Sequence, residues 1–364
     1  MAGQNGTADR VGEVDGARRG CWGRVDLAAA WLVGAYGVGL TAFLLLRALV
    51  GQAWIVIAVL NSFAHLLLWG ALLLAVLMLI VLIIRRRGLR VLITLLPGVL
   101  VCLITYAPFF LPKAIDVSPD APTFTLLTYN THTESEVLPP LADVIRAADA
   151  DVVALQELTD EAATYLQAEL ADVYSYQAVH PGTQFVGFGV LSRLPIVVDD
   201  YARTMLGYQR VQLNVSGAIV TLYNTHASHP FGAGGRFFDL AQRERVLSIL
   251  LRWASRGTHP GPVLLAGDFN LTDQTVGYAD ITTLFTDSYR EAGWRLGFTF
   301  PDLSAPNAVP GPLRPQTFPW LPLLVRLDYV FHDDGLRALE AHVWPEAGGS
   351  DHRPLFVRLA VVGE

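Results

Sequence analysis

The first third of the chain is dominated by three apolar stretches, and the remainder alternates short apolar runs with polar clusters. Residues 27–46, 53–84 and 91–112 contain no charged side chain, and each stretch is at least 20 residues long. That length allows a helix to cross a hydrocarbon core of about 30 Å. Helices of a soluble core usually keep a polar stripe, which these stretches lack. The pattern predicts three transmembrane helices within residues 26–112.

The second apolar stretch allows more than one arrangement. Residues 53–84 can form one tilted helix or an interfacial piece followed by a span, and a hairpin there would give four spans. Cytoplasmic segments are enriched in Arg and Lys. The N-terminal tail carries four Arg, and residues 85–90 carry four more. Three spans place both clusters in the cytoplasm and everything after Lys113 outside it, whereas four spans would separate the clusters. We therefore predict a multi-pass cell-membrane protein with an extracytoplasmic C-terminal domain.

Composition divides the chain further. Residues 1–25 are polar and Gly-rich, which predicts a disordered cytoplasmic tail. Residues 113–122 contain two Pro and two Asp and are typical of a linker. From residue 123 onward strands alternate with amphipathic helices, which predicts one α/β domain over residues 123–364. The predicted strands are residues 123–130, 151–158, 187–196, 218–228, 261–270, 325–332 and 353–361, and the predicted helices are residues 141–150 and 237–255.

Polar residues cluster where the predicted strands end or begin. A lone Asp after a strand is usually a turn residue, but six such clusters in one domain indicate a shared site at one sheet edge. Carboxylates brought together repel unless a cation compensates them. Carboxylate and amide oxygens without Cys favour a hard ion such as Mg²⁺, Mn²⁺ or Ca²⁺. The clustered residues are Asn130, His132, Gln156, Glu157, Asn224, His226, Asp268, Asn270, Asp328, Asp351 and His352.

Charge and cysteine content limit which partners and which kinds of site the C-terminal region can have. Residues 116–364 hold 16 Arg, no Lys and 29 acidic residues, a net charge of −13. A nonspecific nucleic-acid binder needs a cationic surface, so this balance disfavours nucleic acid as a partner, although a local Arg patch stays open. The only two Cys, Cys21 and Cys102, lie before this region. Neither a disulfide framework nor a Cys-based zinc site can form in it.

Seven motifs resemble those of one known superfamily, and they occur in its order. They are LLTYNTH, LQEL, GVLSRLPI, TLYNTHAS, LLAGDFN, RLDYVF and SDHRPL. The resemblance is to the endonuclease/exonuclease/phosphatase (DNase I-like) superfamily and covers about residues 123–360. It implies a four-layer α/β sandwich, with two mixed sheets face to face and helices outside. It also implies a metal-dependent phosphoric ester hydrolase, either a phosphatase or a phosphodiesterase.

The resemblance implies a metal site that contains three of these residues. Glu157 matches the glutamate that binds the essential Mg²⁺, and Asn130 matches the asparagine beside it. Asp351 matches a second carboxylate on the metal side. Abasic-site endonucleases have an aspartate two residues after the motif asparagine, whereas this chain has His132. The difference disfavours a two-metal arrangement and a DNA-repair role, and it leaves His132 as either a substrate contact or a packed histidine.

The resemblance also implies the residues of the reaction itself. Asp268 and Asn270 match the pair that positions the nucleophilic water and the scissile phosphate. His352 matches the histidine that pairs with an aspartate, here Asp328, and His226 matches one that hydrogen-bonds the phosphate. An imidazole oriented by a carboxylate can act as a general base or stabilise the transition state. The sequence does not separate His352 from Asp268 as the base.

Three hypotheses for function follow. The first is a membrane-anchored phosphoesterase acting outside the cytoplasm on a phosphorylated lipid or envelope precursor. Its layout resembles that of actinobacterial membrane phosphatases linked to teicoplanin and vancomycin resistance, which suggests a polyprenyl phosphate or pyrophosphate. The second is an extracellular nuclease or sphingomyelinase-like phosphodiesterase, and the third is an inactive binding module. A Gly-rich loop containing His229 and Arg236 either lines the substrate entrance or is a plain surface loop.

Overall fold

The structure is a computed structural model that describes residues 8–132, 138–183, 186–201, 207–230, 238–303 and 324–362, with side chains from residue 27 onward. The chain separates into two compact units, Met1–Pro108 and Phe109–Glu364. The first unit is helical, and the second contains every described strand.

The described residues of the first unit form four α-helices. In chain order they are α1 Ala8–Val50, α2 Ile55–Ser62, α3 Ala64–Arg85 and α4 Leu89–Tyr106. Helix α4 packs against both α1 and α3. A small apolar core includes Leu40 and Phe43 of α1 and Ala71 of α3. Helix α1 begins at Ala8, inside the stretch for which the sequence predicts disorder, so the helix extends further than the sequence indicates; residues 1–7 lie outside the described residues.

Three helical segments are long and apolar enough to cross a membrane. They are Leu27–Val50, Ala64–Arg85 and Leu89–Phe110. The continuous apolar stretch 53–84 is therefore divided between the short helix α2 and a candidate span, with the break at Phe63. Most large apolar side chains of the three segments face outward, as a lipid environment requires.

The second unit contains two six-stranded mixed sheets. The first has the order β11-β12-β1-β2-β4-β3, and the second has the order β5-β6-β7-β8-β10-β9. The first sheet consists of β1 Thr123–Asn130, β2 Val152–Gln156, β3 Tyr176–His180, β4 Phe188–Ser192, β11 Leu336–Val343 and β12 Leu355–Val361. The second consists of β5 Ile196–Tyr201, β6 Tyr208–Val215, β7 Ala218–His226, β8 Val263–Asp268, β9 Thr286–Asp287 and β10 Asp328–His332.

Helices cover the outer face of each sheet. They are α5 Pro139–Ala148, α6 Asp160–Glu169, α7 Ala241–Arg256, α8 Val276–Thr282 and α9 Ser288–Ala292. Helices α5 and α6 form one apolar core with β1 and β2, and α7 and α8 form another with β8 and β10. Between them β1 faces β8 and β10, and β2 faces β7. The predicted four-layer α/β sandwich is confirmed.

The parallel pairs β1/β2 and β7/β8 position the site. Their neighbours β10 and β12 run antiparallel to them. The C-terminal ends of four strands therefore lie at one edge of the sandwich, together with the N-terminal ends of two others. The four are β1, β2, β7 and β8, and the two are β10 and β12. All six polar clusters of the sequence fall at this edge.

Candidate active site

Strand alternation directs the polar side chains of these ends into the space between the sheets. Successive side chains point to opposite faces of a strand. Tyr129 packs in the helix-side core of β1, so the next residue, Asn130, faces the other sheet. Leu265 packs on the helix side of β8, so Asp268 faces inward. Asn130 accordingly donates its side-chain N–H across the gap to Asp268, at 3.1 Å.

The strand register aligns three inward-facing residues in one row. His226 is paired with Asp268 across β7 and β8, and Asp268 is paired with Asp328 across β8 and β10. Asp268 is therefore central: its Oδ2 lies 3.7 Å from His226 Nε2 and 3.7 Å from His352 Nε2. A row of this kind concentrates negative charge, because two of its three residues are carboxylates.

Glu157 completes a first cluster that can bind a metal. It directly follows β2 and accepts a hydrogen bond from Asn130 Nδ2 at 3.0 Å. Its Oε1 lies 3.5 Å from His226 Nε2. Ligand atoms of Glu157, His226 and Asp268 all lie within 4.8 Å of one another. The three side chains are buried, and burying carboxylates is costly unless a cation or a proton compensates them.

His352 and Asp328 form the second cluster, together with Asp268. His352 Nδ1 lies 2.8 Å from Asp328 Oδ2, and both side chains are buried. Ser350 holds the turn that contains His352: its hydroxyl donates to the Asn130 carbonyl at 2.7 Å and accepts from the His352 N–H at 3.0 Å. The ring of Phe300 packs against the imidazole, with centroids 4.8 Å apart.

The GDFN turn is held by contacts from two directions. Asn270 Nδ2 donates to Asp268 Oδ2 at 3.1 Å and to the Ala227 carbonyl at 2.9 Å. From the helix side, buried Arg243 of α7 donates to the Asn270 carbonyl at 2.8 Å. Gly267 is required here, because a Cβ at that position would lie 1.8 Å from the Thr225 carbonyl oxygen. The turn is thus fixed between β7 and α7.

His132 and Asp351 form a pair at the same edge. His132 Nδ1 lies 3.2 Å from Asp351 Oδ1, and the His132 N–H donates to Asn130 Oδ1 at 3.0 Å. The Asp351 carbonyl accepts from the Asp302 N–H at 2.7 Å. His132 is therefore part of the polar cluster and faces a carboxylate, which favours the reading of a site residue over that of a packed histidine.

Burial and charge shift two pKa values in the cluster. Burial raises the pKa of Asp268 to about 6, with His352 and His226 opposing and Asp328 adding to the shift. For His352, burial alone lowers the pKa, but Asp328, Asp268 and Asp351 outweigh it and raise the pKa well above its usual value. The carboxylates therefore favour the imidazolium form of His352.

The sequence assigned a possible role in metal binding, catalysis or substrate binding to eleven residues. Nine of them meet at this edge: Asn130, His132, Glu157, His226, Asp268, Asn270, Asp328, Asp351 and His352. His229 is described and exposed, and Arg236 lies outside the described residues. Sequence reasoning assigned no role to two further residues, Ser350 and Arg243. Ser350 stands inside the SDH motif, so its position was visible. Arg243 is an ordinary charge on an amphipathic helix, and only its burial reveals its contact.

Comparison with known proteins agrees with this geometry. Residues 127–352 match the endonuclease/exonuclease/phosphatase family. The chain belongs to that family. The match begins in β1 and ends at His352, so it spans all six strand ends. The protein YbhP of Escherichia coli K12, which is uncharacterized, is 27% identical over 52% of this chain and 89% of its own length.

Solved structures show the same fold. The endonuclease/exonuclease/phosphatase protein of Bacteroides vulgatus superposes with a TM-score of 0.52 at 17% identity, over 66% of this chain and 99% of its own. Truncated TDP2 of Caenorhabditis elegans gives 0.51 at 17% identity, over 66% and 98%. TDP2 of Danio rerio, solved with a single-strand DNA product, gives 0.50 at 16% identity, over 66% and 99%. Identities this low establish the fold alone.

Membership of the endonuclease/exonuclease/phosphatase family identifies the chain as a hydrolytic phosphoesterase of a divalent-metal-dependent class. The donor set fits such an ion: it combines carboxylates with imidazole and amide groups and contains no thiol. Asp328 Oδ1 is buried and has no hydrogen-bond partner among the described residues. A cation near these carboxylates would offset their mutual repulsion.

Proposed function

We propose that the chain is a multi-pass, membrane-anchored phosphoesterase that uses Mg²⁺ to hydrolyse a phosphorylated lipid or cell-envelope precursor outside the cytoplasm. One observation carries the proposal: a single chain combines three helices long and apolar enough to span a membrane with two buried groups of carboxylates and histidines that could hold a metal ion. The order of three spans followed by a catalytic domain resembles that of the resistance-linked membrane phosphatases. This resemblance favours polyprenyl phosphates and pyrophosphates as the substrate class.

In this proposal, which follows the family resemblance, Glu157, Asn130 and Asp351 would hold the ion; of these three, only Glu157 belongs to the cluster of Glu157, His226 and Asp268 described above. When bound, Mg²⁺ neutralises charge on the non-bridging phosphate oxygens; Mn²⁺ and Ca²⁺ suit the same oxygen donors. Asn130 already donates to Glu157 and Asp268, so it fixes the distance between two carboxylates that would otherwise repel each other. This bridge supports a preorganised site.

The remaining residues bind and orient the phosphate and the water. Asp268 and Asn270 position the attacking water, and burial raises the pKa of Asp268 to about 6, which leaves it ionised at neutral pH and able to accept a proton. His352, charged beside Asp328, stabilises the negative charge that develops on the phosphoryl oxygens. His226 hydrogen-bonds the phosphate. Because Asp268 is ionised and His352 is already protonated in this arrangement, Asp268 is favoured over His352 as the proton acceptor.

Three more residues are proposed to contact the substrate. His132 has the strongest support, because it lies in the cluster and pairs with Asp351. His229 is exposed three residues beyond β7, where a ligand entering beside His226 would pass. Arg236 has the chemistry for a phosphate contact.

Charge and anchoring support a lipid substrate. The net charge of −13 over residues 116–364 gives little attraction for a polyanion. An anchored site meets membrane lipids at high effective concentration, an advantage that free DNA does not share. The DNA complex of Danio rerio TDP2 makes a nuclease the second candidate.

The test is a substrate panel with the full chain in proteoliposomes containing Mg²⁺. The panel contains polyprenyl phosphate and pyrophosphate, lysophospholipids, sphingomyelin and DNA. We expect fastest hydrolysis of a polyprenyl substrate, lost with EDTA and reduced about 100-fold or more in Glu157→Gln, since losing even a residue that supports a metal ligand typically costs 10–100-fold. Glu161→Gln, an exposed change on α6, is the matched control. Faster cleavage of DNA than of any lipid would overturn the proposed substrate, and no hydrolysis of any substrate would favour the binding module.

A further inference from the structure

Phe109 and Lys113, at the start of the second compact unit, pack against residues of that same unit. The span ends at Phe110, and the compact catalytic unit begins at Phe109. The Phe109 ring is buried and lies beneath the guanidinium of Arg290, 5.2 Å from its centroid. The Phe109 carbonyl accepts from the Arg295 N–H at 3.0 Å, and Lys113 Nζ donates to the Arg290 carbonyl. These contacts hold residues 109–113 within the second unit.

An exposed apolar surface surrounds this entry segment. Phe110 is 40% exposed, Leu111 57% and Trp294 53%. The rings of Phe110 and Trp294 meet edge to face, with centroids 6.2 Å apart. Arg295 follows and is also exposed. We call Phe110, Leu111, Trp294 and Arg295 the entry surface. A contiguous patch of exposed apolar side chains, unlike single ones, often marks a site of interaction with protein or membrane.

The end of the span sets the depth of this surface. Leu89–Phe110 has 22 residues, enough to cross a hydrocarbon core of about 30 Å, which puts its last ring at the boundary with the headgroups. The headgroup layer adds roughly 5–8 Å on each side of the core. Trp294 lies 6.2 Å from the Phe110 ring, a separation no greater than the thickness of that layer. Trp is enriched at this level of a bilayer because its ring is apolar and its N–H is polar.

We propose that the entry surface lies in the headgroup layer of the bilayer, with Trp294 as an interfacial anchor and Arg295 facing lipid phosphates. The occupant of this surface is phospholipid. The contact fixes the catalytic unit at the membrane surface independently of its substrate.

The test uses the full chain in liposomes with lipids brominated near the top of the acyl chains, because bromine quenches nearby Trp. Subtracting the emission of Trp294→Phe from that of the unchanged chain isolates Trp294. Trp253 of α7 is also 53% exposed, so Trp253→Phe is the matched control. We expect the Trp294 component to fall by at least half in brominated lipid and the Trp253 component to stay unchanged.

Two results would overturn the proposal. The first is a Trp294 component that bromine does not quench, which would mean that protein covers this surface. The second is equal quenching of the Trp294 and Trp253 components. Leu111→Trp provides a second reporter, because it adds a Trp to the same surface and leaves every native Trp in place. We expect bromine to quench the added emission to about the same extent as the Trp294 component. The readout requires no substrate, so its outcome is separate from the outcome of the hydrolysis panel.

Discussion

Replacing Asp328 by Asn tests the reasoning about the active site most directly. The change keeps the size of a fully buried side chain and removes one charge. His352 loses the carboxylate that lies 2.8 Å from its Nδ1, so its pKa falls and less imidazolium is present at neutral pH. A group that stabilises charge developing in the transition state typically contributes 10²–10³-fold in rate. We therefore expect kcat to fall by that factor, about 3–4 kcal/mol in the activation free energy.

The assay is hydrolysis of a phosphodiester or lipid phosphate by the full chain at saturating Mg²⁺ across pH 5–10. Because Asp328 raises the pKa of His352, activity that needs the imidazolium is lost as pH rises through that pKa. In Asp328→Asn this alkaline limb should move to lower pH. Asp333→Asn, at the opposite end of β10, is the matched control and should leave kcat unchanged. Turnover near that of the unchanged enzyme, or an equal loss in the control, would refute the assigned role.

Two further predictions concern the turn and the topology. Arg243→Lys should lower kcat roughly 10- to 100-fold with little change in KM. Lys cannot reproduce the guanidinium contact to the Asn270 carbonyl, and small misplacements near a reacting group are costly. An unchanged kcat would show that Arg243 does not position the turn for catalysis. Asp200→Cys, in a chain whose two native Cys are replaced by Ser, should react with an impermeant maleimide in intact cells, whereas Arg87→Cys should react only after permeabilisation; the reverse labelling would contradict the extracytoplasmic placement.

The sequence predicts those parts of the fold that depend on local pattern. Buried strands with polar ends were recognisable, and β1 coincides with its predicted range of residues 123–130. The predicted strand 187–196 is instead β4 followed by the start of β5. Strand β6 is absent from the predicted strands, although residues 210–215 (RVQLNV) alternate polar and apolar side chains. This signal was available because alternation is typical of a half-buried strand.

Contacts between distant segments could not be predicted in the same way. The break at Phe63 carries no Gly or Pro; only Asn61 and Ser62 interrupt the apolar pattern there, so the sequence left one tilted helix and a short piece followed by a span as alternatives. The Ser350 hydroxyl bonds to Asn130, 220 positions earlier in the chain, and a pairing of that kind follows only from the strand order. Family resemblance supplied the residue types of the site, whereas the register of β7, β8 and β10 supplied their convergence.

Backbone conformation shows why those residue types alone do not make the site. His132, Glu157 and Asn270 have φ values of 58°, 55° and 49°, in the left-handed region that non-Gly residues adopt at a cost. Such a residue costs of order 1–3 kcal/mol and persists only where its surroundings determine it. Each follows a strand end by one or two residues, where the chain leaves the sheet beside the polar cluster. The N–H groups of His132 and Asn270 compensate by donating to Asn130 Oδ1 and Asp268 Oδ1. The side chains proposed to bind metal and phosphate thus also hold the strained turns in place, which couples the geometry of the site to its chemistry.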